Sequence, residues 1–270
     1  MAKKPTVLLV GAGAMGGALL RGWLAARAID CAGSAVLDPG AGDALKTLCA
    51  ENGVALNASP TKPFDIAVLA IKPQAADTIL PELRGSIGAA AVLSVMAGKS
   101  CASIAALLGD HKKIGRAMPN LPAAIGRGVS GLFAPASFSE KDRATADTLM
   151  SAAGDTVWVE SEQDIDLVTA VSGSGPAYFF LLTEALADAG VAAGLTPDVA
   201  GRLARATCIG AGAILDTDDR APDLLRQAVT SPGGTTAAAL GVLDGDDSAA
   251  RKLLVRAVAA AAKRAGDLTD

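Results

Sequence analysis

The sequence predicts an α/β domain built on a mostly parallel sheet, followed by an all-α domain. Two patterns predict this. Up to residue 160, short β-rich runs alternate with amphipathic helical stretches, which implies βαβ crossovers and helices on both faces of the sheet. Beyond that point no strand pattern recurs, and long alanine-rich segments carry apolar residues at helical spacing. The 270 residues exceed the usual size of one domain, so the expected domains are 1–160 and 161–270.

Residues 6–10, 35–37, 65–71, 91–95 and 129–134 read as strands, with 156–160 as the last; 14–28, 40–52, 74–84 and 139–152 read as helices. In the second domain the expected breaks are Gly190 and the segments 194–197, 216–219, 231–234 and 241–247. Hydrophobic residues make up 51% of the chain but aromatics only 3%, so small aliphatic residues supply most of the apolar content, a helix-rich profile. The helices after 160 carry more apolar surface than so short a segment buries, which predicts packing against a second copy of the chain. A self-contained bundle is the alternative.

Twenty-four basic against 28 acidic residues give a net charge of -4. That balance offers no basic field for a polyanion, and no Lys/Arg block is interleaved with aromatics, so nucleic acid is not expected as a partner. The start through Lys3, Lys4 and the apolar run 7–20 has the outline of a secretory signal, but glycines at 11, 13, 16 and 17 and Arg21 interrupt it. No uncharged apolar stretch reaches the roughly 18 residues of a membrane span. Cys31, Cys49, Cys101 and Cys208 are scattered without a C-x-x-C pair, and the lone His111 completes no zinc set. Reduced thiols, a cytoplasmic protein, no metal and no membrane contact are the expectations.

Gly11-Ala12-Gly13-Ala14-Met15-Gly16 follows the strand at 7–10 directly and opens a helix containing Leu19, Leu20, Trp23 and Leu24. The three glycines of this G-x-G-x-x-G pattern serve a tight turn, close approach of backbone to a pyrophosphate, and tight helix–strand contact, and the helix N-terminus faces the anion. In that strand–turn–helix context the first domain is expected to be Rossmann-like and to bind a dinucleotide, the alternative being a merely structural glycine turn. An acidic residue is expected at the end of the second strand, roughly 20 residues on, to bind the ribose hydroxyls. Asp38 ends that strand, 22 positions after Gly16 and before a Pro39-Gly40 turn. It serves either the ribose, which would repel a 2′-phosphate and favour NADH, or the turn, which with Ser34 and Lys46 nearby leaves NADPH open. The run 97–100, Ala-Gly-Lys-Ser, resembles the end of a P-loop, but Leu93 stands where its first glycine is required, and an ATP site is rejected.

Two further segments carry small residues ahead of helices. Residues 171–178, Val-Ser-Gly-Ser-Gly-Pro-Ala-Tyr, suit close approach of a ligand or of another helix. Residues 231–236, Ser-Pro-Gly-Gly-Thr-Thr, offer hydroxyls and free amides at a helix start, which is either a carboxylate site or a plain N-cap. An alcohol dehydrogenase generally needs a positioned His or Lys as base. The only histidine, His111, lies beside Lys112 and Lys113 in a polar stretch read as surface, and no lysine occurs between Lys141 and Lys252. A C=N substrate relieves that need, because a protonated imine is already electrophilic and hydride addition requires mainly orientation.

Taken together, these residues resemble the pyrroline-5-carboxylate reductase family over essentially the full chain. The matching pieces are the glycine-rich start, 70–73 (Ala-Ile-Lys-Pro), 116–120 (Arg-Ala-Met-Pro-Asn), 172–178, and 229–236 (Val-Thr-Ser-Pro-Gly-Gly-Thr-Thr). The resemblance implies hydride transfer from NADPH or NADH to the C=N bond of 1-pyrroline-5-carboxylate, giving proline. It also implies a homo-oligomer formed through a C-terminal helical dimerisation domain, with the site between the cofactor cleft of one subunit and helices of the dimer. Residue by residue, it puts Gly11, Gly13, Ala14, Met15 and Gly16 around the pyrophosphate, Asn57 near the adenosine, and Ala70, Lys72 and Pro73 near the nicotinamide. Met118 and Asn120 would flank the substrate. Ser231 and the amides of Gly234, Thr235 and Thr236 would take its carboxylate, and the Thr236 hydroxyl, the catalytic candidate, would hydrogen-bond the ring nitrogen. Asp219 falls where some members have a glutamate near the substrate, and Asp38 stands where members carry a more basic or hydroxyl-rich loop. Two rivals are a β-hydroxyacid dehydrogenase, whose lysine early in the corresponding helix is missing from 179–185, and a catalytically silent nucleotide-binding regulator, which need not keep 231–236.

Overall fold

The computed structural model describes residues 3–58 and 63–269; Met1 and Ala2 of the basic start lie outside the described residues. The chain forms two compact units, one running through Ser174 and including the chain from Ala261 onward, the other Gly175–Ala260.

The first unit is built on an eight-stranded sheet: β1 (Val7–Val10), β2 (Ala35–Leu37), β3 (Ala55–Leu56), β4 (Ile66–Leu69), β5 (Ala91–Ser94), β6 (Ile114–Met118), β7 (Gly128–Phe133) and β8 (Gly154–Trp158). Its order is β3-β2-β1-β4-β5-β6-β7-β8, with every pair parallel except β6 against β7. The order reverses between β1 and β4, which leaves a crevice at their carboxyl ends. Val-Leu-Leu-Val of β1 is buried on both faces, as a central parallel strand requires. Val7 and Leu9 join one core layer with Leu19, Trp23 and Leu149, while Leu8 and Val10 join the other with Leu80 and Ile104. Helix α1 (Ala14–Ala25) is fastened to α5 (Glu140–Ser151) by Trp23, whose Nε1 donates to the Leu149 carbonyl at 2.8 Å.

The remaining helices here are α2 (Asp43–Asn52), α3 (Ala76–Ile87), α4 (Cys101–Leu107) and α6 (Asp164–Val168). Three elements have no counterpart among the expected ones. Strand β6 is fully buried yet contains Gly115 and Arg116 and lacks a β-branched run. A Cβ on Gly115 would lie 3.2 Å from the Phe133 carbonyl oxygen, so glycine is there to let β7 close in. The two-residue β3 and the short α4 fall below the length at which a sequence period shows. The last strand lies two residues earlier than 156–160, because Gly154, at φ 146, opens it against the Gly128 backbone.

The change in composition at 160 and the change of compact unit at 174 do not coincide. Residues 164–173 form α6 and a π-helical turn, Thr169–Gly173, whose Ile165 and Ala170 are fully buried. Val168 packs so closely on β7 that a Cβ at Gly131 would meet it at 2.5 Å.

The second unit holds α7 (Gly175–Ala192), α8 (Pro197–Thr217), α9 (Pro222–Ala228), α10 (Thr235–Asp244) and the start of α11 (Ala249–Leu268). Gly190 does not break α7: its missing side chain lets α8 approach, with Ala200 Cβ 3.2 Å from where its own Cβ would be. Gly241 likewise lies inside α10. Phe179, Phe180, Leu181, Leu182 and Leu186 are each more than half exposed, far more contiguous apolar surface than one copy in water retains.

Candidate cofactor cleft and substrate turn

The carboxyl ends of β1, β2 and β4 enclose a cleft of about 720 Å³ lined by Gly11, Gly13, Asp38, Asn57, Ala70 and Lys72, with Leu37, Ile71, Ala75, Ile79 and Leu83 as apolar wall. Each glycine of the first loop answers a different constraint. Gly11 has φ +86 and a Cβ there would sit 2.7 Å from the Ala70 carbonyl oxygen, so the turn out of β1 admits no side chain. A Cβ on Gly16 would lie 2.1 Å from the Gly11 carbonyl oxygen. At Gly13 a Cβ would meet nothing within 4 Å. Among the described residues no contact requires glycine there, and the first amides of α1 beside it, those of Ala14, Met15 and Gly16, have no carbonyl partner within the helix. No acidic side chain caps this helix start. The cradle fits a dinucleotide pyrophosphate.

Of the two roles expected for Asp38 the structure gives it the turn, and it adds a contact to the glycine loop that the sequence did not suggest. Its Oδ2 accepts from the Ala12 amide at 2.8 Å and its Oδ1 from the Gly40 amide at 2.9 Å, so one carboxylate fixes the glycine loop and the turn after β2. Asn57, in the left-handed region at φ 53, clasps the Asp38 backbone: its Oδ1 accepts from Asp38 N and its Nδ2 donates to Asp38 O, both at 2.8 Å. Lys72 is exposed at the end of β4, and Pro73 opens the single 3-10 turn that follows. Glu82 on α3 lines the same cleft, a residue without a sequence signal because it lies far along the chain from the loop.

Met118 and Asn120 are both buried, at 7% and 8% exposure. Asn120 is engaged at both ends of its amide: Nδ2 donates to the Ser172 carbonyl at 3.1 Å and Oδ1 accepts from Val129 N at 3.0 Å. Met118 comes up to Gly173, where a Cβ would find Met118 Cγ at 3.9 Å. These two residues therefore brace the π-helical turn at 169–173, and such turns recur at functional sites. Cys101 lies beside this strand's Arg116 and the Glu162 carboxylate; burial first, then the Glu162 charge, push its thiol up to about 12, which leaves it protonated and a poor nucleophile. His111, read as surface, is half-buried, with Nε2 2.9 Å from the Ala90 carbonyl oxygen.

In the second unit, Ser231 to Thr236 form a turn into α10. Gly233 takes φ +70, the Gly234 amide donates to the Ser231 carbonyl at 3.0 Å, and α10 starts without a side-chain cap. The amides of Thr235, Thr236 and Ala237 thus lack helical acceptors. Among the described residues none hydrogen-bonds the Ser231, Thr235 or Thr236 hydroxyls, which leaves this start equipped for an anion. Asp219 is exposed. Its neighbour Asp218 is the engaged acid: Arg220 Nη2 lies 2.7 Å from its Oδ2, and this contact holds its carboxyl down at about 2.

Two family models match the chain. Residues 162–268 match pyrroline-5-carboxylate reductase dimerisation, and residues 6–98 match NADP oxidoreductase, coenzyme F420-dependent. A pyrroline-5-carboxylate reductase of Pseudomonas aeruginosa is 39% identical over 98% of this chain and 97% of its own length. Among solved structures, a pyrroline-5-carboxylate reductase from Coxiella burnetii superposes with a TM-score of 0.90 at 34% identity, covering 99% of this chain and all of that one. The Plasmodium falciparum pyrroline carboxylate reductase, solved with NADP bound, gives 0.80 at 25% identity over 99% of each chain. The likeness spans both compact units from end to end, and the chain belongs to the pyrroline-5-carboxylate reductase family.

Proposed function

We infer that this protein transfers a hydride from NAD(P)H to the C=N bond of 1-pyrroline-5-carboxylate and releases proline. The observation that carries this reading is the full-length likeness to reductases of that name, which includes the first glycine loop and the turn at 231–236 alike.

When bound, the nicotinamide supplies the hydride. The chain's share is binding and orientation. The amides of Gly13, Ala14, Met15 and Gly16 take the pyrophosphate over the glycine loop that Gly11 turns. Asp38, clasped by Asn57, shapes the adenosine end, and Ala70, Lys72 and Pro73 border the nicotinamide. Ser231 and the amides of Thr235 and Thr236 hold the substrate carboxylate, and Thr236 Oγ1 accepts a hydrogen bond from the protonated ring nitrogen; the Gly234 amide, expected to share the carboxylate, instead donates to the Ser231 carbonyl and shapes the turn. Met118 and Asn120 act on the substrate side through the turn they brace, with Asp219 assigned to the rim of the site. No general base is needed, since a protonated imine is electrophilic and alignment at about 3–3.5 Å is the main requirement.

The exposed apolar helices of 175–260 are assigned to a second copy of the chain, in keeping with the dimerisation model that matches there. The stretch Asp164–Ala192 is long and apolar enough to cross a bilayer, with mean hydropathy 1.3, but that same match favours a protein partner over lipid. Four unpaired cysteines suit a reducing cytoplasm. The test is a substrate panel with purified protein: 1-pyrroline-5-carboxylate should drive NAD(P)H oxidation with proline as product, while 3-hydroxy acids in the reverse direction should give none. Turnover of a hydroxy acid and not of the imine would overturn the reading.

A further inference from the structure

We propose that this reductase selects NADH over NADPH, and that Asp38 is the specificity-determining residue. The proposal rests on the reading that the cleft holds a nicotinamide dinucleotide.

The geometry that argues for it is the way the carboxylate is fixed. Asp38 stands at the carboxyl end of β2, where the adenosine ribose lies in a Rossmann-type cleft. Its two oxygens are each held by one backbone amide, Ala12 at 2.8 Å and Gly40 at 2.9 Å, and Asn57 locks its backbone from the other side at 2.8 Å twice. The side chain is therefore not free to swing away from a ribose. Each carboxylate oxygen accepts more than one hydrogen bond, so both keep capacity for the 2′- and 3′-hydroxyls of NADH. A 2′-phosphate would instead bring close to two negative charges against a fixed one.

Among the described residues neighbouring charge does not compensate. Glu82 lines the same cleft, and Lys72 is the one base among the described lining residues. Lys72 follows β4 and caps the 3-10 turn at Pro73, whereas the end of β2 is followed by no arginine or lysine before Lys46. Lys46 is already paired with Asp43 at 3.0 Å.

The measurement is equilibrium binding to the intact protein by calorimetry, with no imine present. NADH should bind at least about tenfold more tightly than NADPH at low ionic strength, as expected for like charges at close range, and added salt should narrow the gap. The fragments 5′-AMP and adenosine 2′,5′-bisphosphate should show the same order, which isolates the adenosine end from the nicotinamide. Asp38→Asn keeps the shape and an acceptor oxygen, and it should bring the NADH to NADPH ratio close to one; Glu82→Gln, on an exposed helix face, should move it part of the way. Equal or tighter NADPH binding by the unaltered protein overturns the proposal while leaving the reductase reading intact. An unchanged ratio in Asp38→Asn overturns the assignment to Asp38. Failure of both dinucleotides to bind overturns this proposal and the reductase reading together.

Discussion

Arg116 Nη1 lies 3.2 Å from Glu162 Oε1, an ion pair between the middle of β6 and the first residue of the stretch that matches the dimerisation model. The arginine side chain is 2% exposed and its Nε and Nη2 have no partner among the described residues, so Glu162 is its one charge partner there. The same carboxylate oxygen accepts from the Cys101 amide at 2.6 Å. One acid thus ties α4, β6 and the entry to α6 together.

Removing one side of a buried pair leaves the other charge uncompensated, which costs far more than the pair itself contributes. Glu162→Ala should destabilise the protein by on the order of 3 kcal/mol, measured by urea unfolding. Replacing both partners with apolar residues, as in Arg116→Met with Glu162→Leu, should recover most of that loss. If Glu162→Ala unfolds at the same urea concentration as the parent, the pair is not what holds this junction.

A pH prediction follows from Asp65 at the entry to β4. Its Oδ2 accepts from Thr6 N and Thr6 Oγ1, both at 3.0 Å, and its Oδ1 from Lys141 Nζ at 3.0 Å. The Thr6 amide first, then Lys141 and the Thr6 hydroxyl, hold its carboxyl down at about 2. A lowered folded-state value means stability that is present above the unfolded carboxylate range and is lost as pH falls toward the folded value. Asp65→Asn should therefore lower Tm at pH 7, and the difference from the parent should shrink between about pH 4 and pH 2. A Tm difference that is constant across that window would assign the effect to shape and not to charge.

Gly13→Val tests the cradle. No described residue lies within 4 Å of its missing Cβ, and its φ of -64 suits any residue, so the fold should lose only about 1 kcal/mol for a poorer helix start. Dinucleotide binding should fall below detection in a fluorescence titration, because the branched side chain fills the space over the free amides. Unchanged affinity would make the glycine loop a structural turn only.

Thr236→Ala and its neighbour separate the proposed substrate contact from the helix cap. Thr236→Ala should lower kcat/KM by about tenfold to a hundredfold, the value of one oriented hydrogen bond, with cofactor affinity and Tm unchanged. Thr235→Ala should matter less, since only its amide is assigned. Steady-state kinetics on both decide it, and a worse Thr235→Ala enzyme would misplace the substrate.

The features legible in the sequence are those whose cause is local. Val7–Val10 into Gly11, Gly13 and Gly16 reads as strand, turn and helix because each constraint lies within ten residues. The β6 strand was not legible, since its arginine is tolerated only through Glu162, 46 residues away. Asn120 was expected beside the substrate, and its engagement with Ser172, 52 residues on, depends on how β6 and the π-helical turn come together. Asp38 showed two readings in sequence because one carboxylate can serve a turn and face a ribose; the structure gives it the turn and the glycine loop, and the ribose is left to binding experiments. The apolar helices after residue 160 were legible as a surface needing a partner, because a helix that is apolar around most of its girth cannot be solvated.

The most direct test of the central claim follows the hydride itself. With NAD(P)D deuterated at the transferable C4 position and 1-pyrroline-5-carboxylate, the purified protein should yield proline carrying one deuterium on the δ-carbon, the former imine carbon, as read by mass spectrometry and NMR. Proline without deuterium, or cofactor oxidation without proline, would contradict the account.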